Sequence, residues 1–178
     1  KRESESATWE MAGPSSSAAS TSATAICAVL AIDHENLYYT ACSVCERTLP
    51  DSPDSLCRFC TSFNRITPSS SSRPPSKRLF RLLVSIATDT KVRNVMCFDR
   101  AARVLLGCSA DEFCDFAKLH RFAGACASKV LEGEMFKVTL TKPKNGNAEH
   151  LRVSSIVPLR TGFQPAIKTL RSMLRSSS

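Results

Sequence analysis

Four cysteines in the first half of the chain form two closely spaced pairs. Cys42 and Cys45 make one Cys-x2-Cys motif, and Cys57 and Cys60 make a second. Two thiolates on one tight turn can face a common ion, and two such turns complete a tetrahedron of sulfur ligands around Zn²⁺. Because four protein ligands leave no open coordination position, this spacing predicts a structural zinc site. Two disulfides, one redox-active pair or an iron–sulfur cluster are the alternatives that remain open.

The other residues capable of chemistry do not form a catalytic pattern. The histidines (His34, His120 and His150) lie in separate segments without a nucleophile or carboxylate at a recognisable spacing, and no glycine-rich loop is present to bind phosphate. We therefore expect that the protein is not an enzyme and has no small-molecule substrate. The five single cysteines lie among apolar residues and are predicted to act as small hydrophobic side chains. They are Cys27, Cys97, Cys108, Cys114 and Cys126.

Basic residues are concentrated after the first 72 positions. The net charge is +8; up to Ser72 the chain has 5 basic and 8 acidic residues, and beyond it 19 basic and 8 acidic. Such asymmetry is typical of proteins with polyanionic partners, although it also suits an ordinary basic exterior.

The longest apolar run, residues 23–32, is about half of what a membrane span needs, so no membrane partner is expected. Position 1 is Lys rather than Met, which predicts that the chain is part of a longer protein.

The hydrophobic pattern predicts the elements that must hold these residues. Alternation predicts strands over residues 26–32, 79–86, 92–98, 135–141 and 150–157. Helical signals cover residues 100–106, 110–119 and 122–131, before the fourth strand, and residues 163–174 after the fifth. This order predicts a mainly β protein with α-helices. The predicted fold is a five-stranded oligonucleotide-binding (OB) Greek-key barrel with an inserted four-cysteine zinc ribbon and a C-terminal helix.

The domain boundaries follow from composition. Residues 1–24 are rich in Ser and Ala and are predicted to be a disordered tail, because they cannot bury enough apolar surface to order. Residues 25–175 are predicted to form a single OB domain, with the ribbon at about 38–64 and a Ser/Pro-rich loop at 68–76. Residues 176–178 are predicted to be a frayed end.

Basic residues at outward positions of the predicted strands are candidates for nucleic-acid contact. The basic residues on strands lie between apolar neighbours, so the alternation of a strand directs their side chains away from the core. Two further lysines lie beside a predicted hairpin turn. The set is Arg81, Arg93, Lys137, Lys142, Lys144 and Arg152. Together they are predicted to follow a phosphate backbone; the alternative is an ordinary solvated surface. Phe80 and Phe98 are candidates for base stacking, although both share the parity of the aliphatic core residues.

Three segments resemble the C-terminal DNA-binding domain of the replication protein A large subunit. They are residues 38–42 (YYTAC) with the cysteines that follow, residues 80–85 (FRLLVS), and residues 95–98 (VMCF) with the helix that ends at Gly107. The chain is similar to a diverged member of that family, such as the meiosis-specific OB-domain protein or shieldin subunit 2. Two departures fit divergence: Asn94 occupies a position that is aromatic in replication protein A, and the Ser/Pro-rich loop is long.

The resemblance implies a function and partners. It implies single-stranded DNA binding by a nuclear protein of DNA repair or recombination, with the zinc ribbon inserted after the first barrel strand. It also implies that the final helix binds a protein partner through Ile167, Leu170 and Leu174, whereas packing of this stripe against the chain's own barrel is the alternative. A protein-interaction module with little DNA contact is the competing interpretation of the whole domain.

Overall fold

The computed structural model describes residues 22–50, 57–63, 76–143 and 148–176. Its strands are β1 (Ser22–Ile32), β2 (Tyr38–Cys42), β3 (Ser76–Thr88), β4 (Val92–Phe98), β5 (Met135–Thr141) and β6 (Leu151–Pro158). Its helices are α1 (Arg58–Phe63), α2 (Asp99–Leu106), α3 (Ala110–Leu119), α4 (Ala123–Leu131) and α5 (Ala166–Ser176). Among these helices, none is long and apolar enough to cross a membrane.

Five of the strands close into a barrel. The order is β1-β5-β6-β4-β3, and β3 pairs back to β1. All neighbours are antiparallel except β4 and β6, which run parallel. This closed sheet, with helices inserted between β4 and β5, confirms the predicted OB barrel. The pattern analysis did not predict β2, which pairs with the first half of β3 from Tyr38 opposite Phe80 to Cys42 opposite Ser76.

Alternation along the strands builds the core. On β3, Phe80, Leu82, Val84 and Ile86 are almost wholly buried, as their shared parity predicts. Each such side chain contributes about 1.5–3 kcal/mol through removal from water. From Arg81 onward, residues of the opposite parity remain partly or fully exposed, so this part of the sheet has one apolar face directed inward.

The helical insertion is defined by local capping signals. Ser109 and Glu112 form the predicted capping box at the start of α3: the Glu112 N–H donates to Ser109 Oγ (3.2 Å), and the Ser109 N–H donates to Glu112 Oε2 (2.8 Å). Gly107 ends α2 with φ of 79°. An added Cβ at Gly107 would lie 2.4 Å from Cβ of Pro165, so this glycine also allows the chain leading into α5 to approach α2 closely.

Helix α5 packs on its own domain, which corrects part of the prediction for its apolar stripe. Ile167 and Leu170 are 2% and 5% exposed and belong to the same core as the barrel. Of the stripe, only Leu174 is exposed. Since two of the three side chains are buried within this chain, a partner cannot contact them in this conformation.

Some predicted boundaries move by a few residues. Residues 22–24, predicted as tail, are the first residues of β1, and Ser176 is the last residue of α5. Residues 1–21, most of the predicted Ser/Pro-rich loop and residues 177–178 lie outside the described ranges.

Among the single cysteines, Cys27, Cys97 and Cys114 are buried as predicted, but Cys126 is exposed, because it lies on the solvent side of α4.

Candidate functional site

The four paired cysteines converge on one point. Their Sγ atoms all lie within 4.8 Å of one another, with 3.6 Å between Cys42 and Cys60 and 3.4 Å between Cys45 and Cys57. A disulfide requires an S–S distance of about 2.05 Å, so the thiols are not paired covalently. A tetrahedral ion bound at about 2.3 Å places its sulfur ligands about 3.8 Å apart. The cluster therefore has the donor set and the spacing to hold one metal ion.

The first pair of cysteines lies on a hydrogen-bonded turn at the end of β2. The Glu46 N–H donates to the Cys42 carbonyl, and the Cys42 N–H donates to the Arg47 carbonyl, both at 2.9 Å. Glu46 adopts a positive φ of 56° to complete the turn. Backbone N–H groups of Cys45 and Val44 donate to the Cys42 sulfur and lower its pKa to about 6. The turn thus stabilises the thiolate form that a metal ion requires.

The second pair lies at the start of α1. Cys57 precedes the helix, and the backbone N–H of Cys60 lowers the pKa of the Cys57 thiol. Burial raises the pKa of the Cys60 thiol to about 12. A cation bound in the cluster would favour the ionised form of the Cys60 sulfur, because an opposite charge lowers a thiol pKa.

Contacts outside the cluster hold this four-cysteine ribbon together and against the barrel. Leu49 is the one buried side chain that packs with the cysteines in the described part of the ribbon. The Arg47 guanidinium lies 3.8 Å from the centroid of the Phe59 ring and so joins the two cysteine turns. Lys77 Nζ on β3 lies 2.6 Å from a carboxylate oxygen of Glu46.

A second set of contacts joins the strands β2 and β3 to α3. Arg78 bonds Asp111 through both its backbone N–H and its guanidinium, each at 3.3 Å. The Cys114 thiol donates to the Tyr38 hydroxyl at 3.4 Å. These two contacts fix the position of β2 and β3 relative to the helical insertion.

Arginine and aromatic side chains meet on the outer surface of β3, β4 and β6. Arg81 on β3 lies directly opposite Phe98 on β4. The guanidinium of Arg152, from β6, lies 4.2 Å from the centroid of the Phe98 ring. Tyr39, half-buried on β2, is close enough for Arg81 and Arg152 to lower its pKa, although burial, the larger effect, raises it. We call Tyr39, Arg81, Phe98 and Arg152 the cation–aromatic face.

The two predicted stacking residues lie on opposite faces of the sheet. Phe80 is fully buried and packs edge-on against Phe113 with ring centroids 6.2 Å apart, so it is a core residue and not available for base stacking. Phe98 was expected to share the parity of the core. Instead Val95 and Cys97 face inward and Phe98 faces outward. This outward position makes Phe98 available to a ligand.

The predicted basic set does not lie on one surface. Arg93 has the inward parity of Val95 and Cys97 and is half-buried at the start of β4, which corrects its assignment to the outer face. Lys137 is exposed, but on β5, between Ile26 and Val157. Of the predicted residues, Arg81 and Arg152 both neighbour Phe98, and Lys142 follows the strand partner of Arg152.

The position of Lys142 follows from the strand register. Lys142 is exposed and follows Thr141, the partner of Arg152 on β5. Lys144 lies outside the described residues. Tyr39 was missed as a component of the face, because its position depends on the pairing of β2 with β3; its sequence signal was only the aromatic pair that precedes Cys42.

Two solved structures share this architecture. One is a chain of a replication protein A heterotrimer bound to single-stranded DNA: the identity is 18%, the TM-score is 0.62, and the match covers 89% of this chain and 36% of that chain. The other is a chain of yeast replication protein A bound to single-stranded DNA, with 16% identity, a TM-score of 0.59, and coverage of 95% and 92%. This chain therefore spans about a third of the first of these.

No protein-family model matches the chain, and no curated protein sequence matches it significantly. At identities of 16% and 18%, the structural similarity establishes the fold. The protein is thus an OB-fold domain with a closed five-stranded barrel, a clustered four-cysteine site and a C-terminal helix.

Proposed function

We propose that this domain binds single-stranded DNA without catalysis, through the cation–aromatic face. The observation that carries the proposal is the stacking of Arg152 on Phe98, with Arg81 on the neighbouring strand. This is the surface of the second and third barrel strands, where OB folds bind oligonucleotides. The similarity to replication protein A chains bound to single-stranded DNA supports the same ligand.

The cation–aromatic face and Lys142, which follows the strand partner of Arg152, have two distinct physical roles. Arg81, Arg152 and Lys142 bind phosphates, and each phosphate contact on a single strand releases counterions, so binding weakens with salt. Phe98 and Tyr39 offer ring surface for base stacking, worth about 1–3 kcal/mol per base. Stacking is tolerant of sequence because every base has a π-face, so we expect little sequence preference.

We propose that the metal at Cys42, Cys45, Cys57 and Cys60 is a structural Zn²⁺. The four thiolate ligands close its coordination shell, so the ion stabilises the ribbon beside the cation–aromatic face and has no catalytic role. We further propose that the chain is a diverged relative of the replication protein A large subunit and part of a larger nuclear protein of DNA repair or recombination.

The test is fluorescence anisotropy of a labelled single strand of about 30 nucleotides, titrated over a salt series with a duplex control. The double variant Arg81→Ala with Arg152→Ala is expected to reduce the slope of log K against log [salt] by about 1.4, or about 0.7 for each phosphate contact. The matched control, Arg93→Ala with Lys137→Ala, removes the same charge away from the face. We expect it to leave most of the slope unchanged.

Phe98→Ala tests the stacking role. We expect a loss of affinity of about 1–3 kcal/mol with little change in the salt slope, because the charges remain. Equal effects of the two double variants would contradict the assigned face. Absence of binding, or equal binding to duplex, would instead identify a protein-interaction module.

A further inference from the structure

A second outer surface of the barrel is apolar and shares no residue with the cation–aromatic face. It is formed by side chains of β1, β5, β6 and the residue after β6. Five of these are large hydrophobic residues that are between 40% and 56% exposed. They are Ile26, Leu30, Met135, Val157 and Leu159.

The strand register makes this surface continuous. Ile26, Lys137 and Val157 form one row across β1, β5 and β6. The next row contains Ala28 opposite Met135, and the Leu159 N–H donates to the Met135 carbonyl at 3.0 Å. Lys137 is thus the one cation inside an otherwise apolar patch. We call these residues, with Leu30, the β1–β5–β6 face.

We propose that the chain's own N-terminal segment, through Trp9, Glu10 and Met11, binds the β1–β5–β6 face. Trp9 is the single tryptophan of the protein, and Trp9 and Met11 are the large apolar residues among the 21 that precede β1. A tryptophan contributes a large apolar area, and its neighbour Glu10 supplies the charge that complements Lys137.

Chain length permits this contact. β1 begins at Ser22, which pairs with Thr141 at the polar end of the same three strands. The Ile26 row lies four residues further along β1, or about 13 Å at the rise of a strand. The ten residues between Met11 and Ser22 reach up to about 33–36 Å when extended, so Trp9 can return to this row. The tether also gives the segment an effective concentration in the millimolar range.

The chemistry of the face disfavours a second copy as its occupant. Two faces joined by a twofold axis would bring two Lys137 ammonium groups together without a counter-charge. A stable interface also takes about 20–30 residues from each partner, whereas this face offers seven. A short segment with one aromatic anchor and one carboxylate fits its size and charge better.

Because Trp9 is the single tryptophan, its fluorescence reports directly on this contact. In the whole chain, without DNA, we expect the emission to be blue-shifted and acrylamide quenching to be weaker than in the urea-unfolded chain. Val157→Glu places a carboxylate inside the face and is expected to shift the emission and the quenching towards the unfolded values. Val92→Glu is the matched control, since Val92 is an exposed valine on β4, outside the face.

The charge pair gives a second measurement. Lys137→Glu is expected to increase quenching of Trp9, and Glu10→Lys in the Lys137→Glu background is expected to restore protection, since the pair is re-formed with reversed sign. Native quenching equal to that of the unfolded chain would overturn the proposal. So would a blue shift that survives Val157→Glu, or one that depends on protein concentration, because the latter would identify a second copy as the occupant.

Discussion

The barrel and the four-cysteine ribbon are stabilised in different ways within one chain. The barrel buries an extensive apolar cluster drawn from every one of its strands and from α2, α3, α4 and α5. In the described part of the ribbon, the buried cluster consists of Leu49 with Cys42, Cys57 and Cys60. A unit with so small a core needs a covalent or metal cross-link to stay folded. The barrel is therefore stabilised by hydrophobic burial, and we expect the ribbon to depend on the metal proposed for its four cysteines.

The largest expected effect follows from loss of the metal. Structural zinc sites of zinc-finger peptides contribute about 10–16 kcal/mol of apparent binding free energy at neutral pH. We expect Cys57→Ser to release the ion, because three ligands rarely hold a structural site. Amides of residues 38–50 should then exchange rapidly with solvent, while those of β5 and β6 remain protected.

Hydrogen exchange with elemental analysis checks this outcome. Cys126→Ser is the matched control, since Cys126 is an exposed cysteine outside the cluster. Stoichiometric metal in Cys57→Ser would show that the ligand assignment is wrong.

The second largest effect is expected in the barrel core. Phe136 is fully buried on β5 and packs edge-on against Phe163, with ring centroids 5.1 Å apart. Phe136→Ala should lower the free energy of unfolding by about 3–5 kcal/mol through lost burial and a residual cavity. Denaturant unfolding measures the loss, and the exposed Phe122→Ala should change stability by no more than about 0.5 kcal/mol. A metal content that falls in Phe136→Ala would contradict the separation of the two regions.

A smaller effect is expected where α5 packs on the rest of the domain. Gly107 and Gly133 have similar positive φ values, 79° and 82°, but an added Cβ meets Pro165 at Gly107 and nothing within 4 Å at Gly133. Gly133→Ala should therefore cost about 1–2 kcal/mol from backbone conformation alone. Gly107→Ala should cost about 1–3 kcal/mol more from overpacking. Thermal or denaturant unfolding measures the difference, and equal losses would mean that the chain before α5 moves aside freely.

The smallest effect concerns the link between the two regions. Glu46 in the ribbon turn and Lys77 on β3 form a partly exposed ion pair, 2.6 Å between carboxylate oxygen and ammonium nitrogen, that joins the ribbon to the barrel. Exposed pairs contribute about 0.2–1 kcal/mol, and less at high salt. A double-mutant cycle with Lys77→Gln and Glu46→Gln measures the coupling. A coupling above about 2 kcal/mol would show that the ribbon and the barrel do not fold as separately as their cores indicate.

The sequence predicts the cysteine cluster and the barrel core well because both signals are local. Two cysteine ligands separated by two residues lie on one turn. On β3, the alternate positions from Phe80 to Ile86 are all large and apolar, whereas the positions between them include Arg81 and Ser85. On β4 the signal fails, since Val95 and Cys97 at one parity and Met96 and Phe98 at the other are all apolar. Alternation cannot then choose which set faces inward.

Two further features depend on contacts between distant segments. Tyr39 reaches the cation–aromatic face only because β2 pairs with β3. The stripe on α5 has the same spacing whether it packs on its own domain or on another protein, so sequence alone leaves that choice open. In the structure the close approach at Gly107 and the burial of Ile167 decide it in favour of the chain's own core.

The parallel contact between β4 and β6 is the shortest pairing of the barrel. It consists of three residue pairs: Val95 with Leu151, Met96 with Arg152, and Cys97 with Val153. These residues are far apart in the chain, whereas β3 and β4 form a hairpin of consecutive strands. Loop-closure entropy opposes distant pairings, and here only three residue pairs offset it, whereas the more distant pairing of β1 with β5 has seven. We therefore expect the hairpin to form early during folding and the β4–β6 contact to close last. We also expect transient opening of the native barrel to begin at the β4–β6 contact. Arg152, whose guanidinium lies on the Phe98 ring, is one of the residues that form this contact.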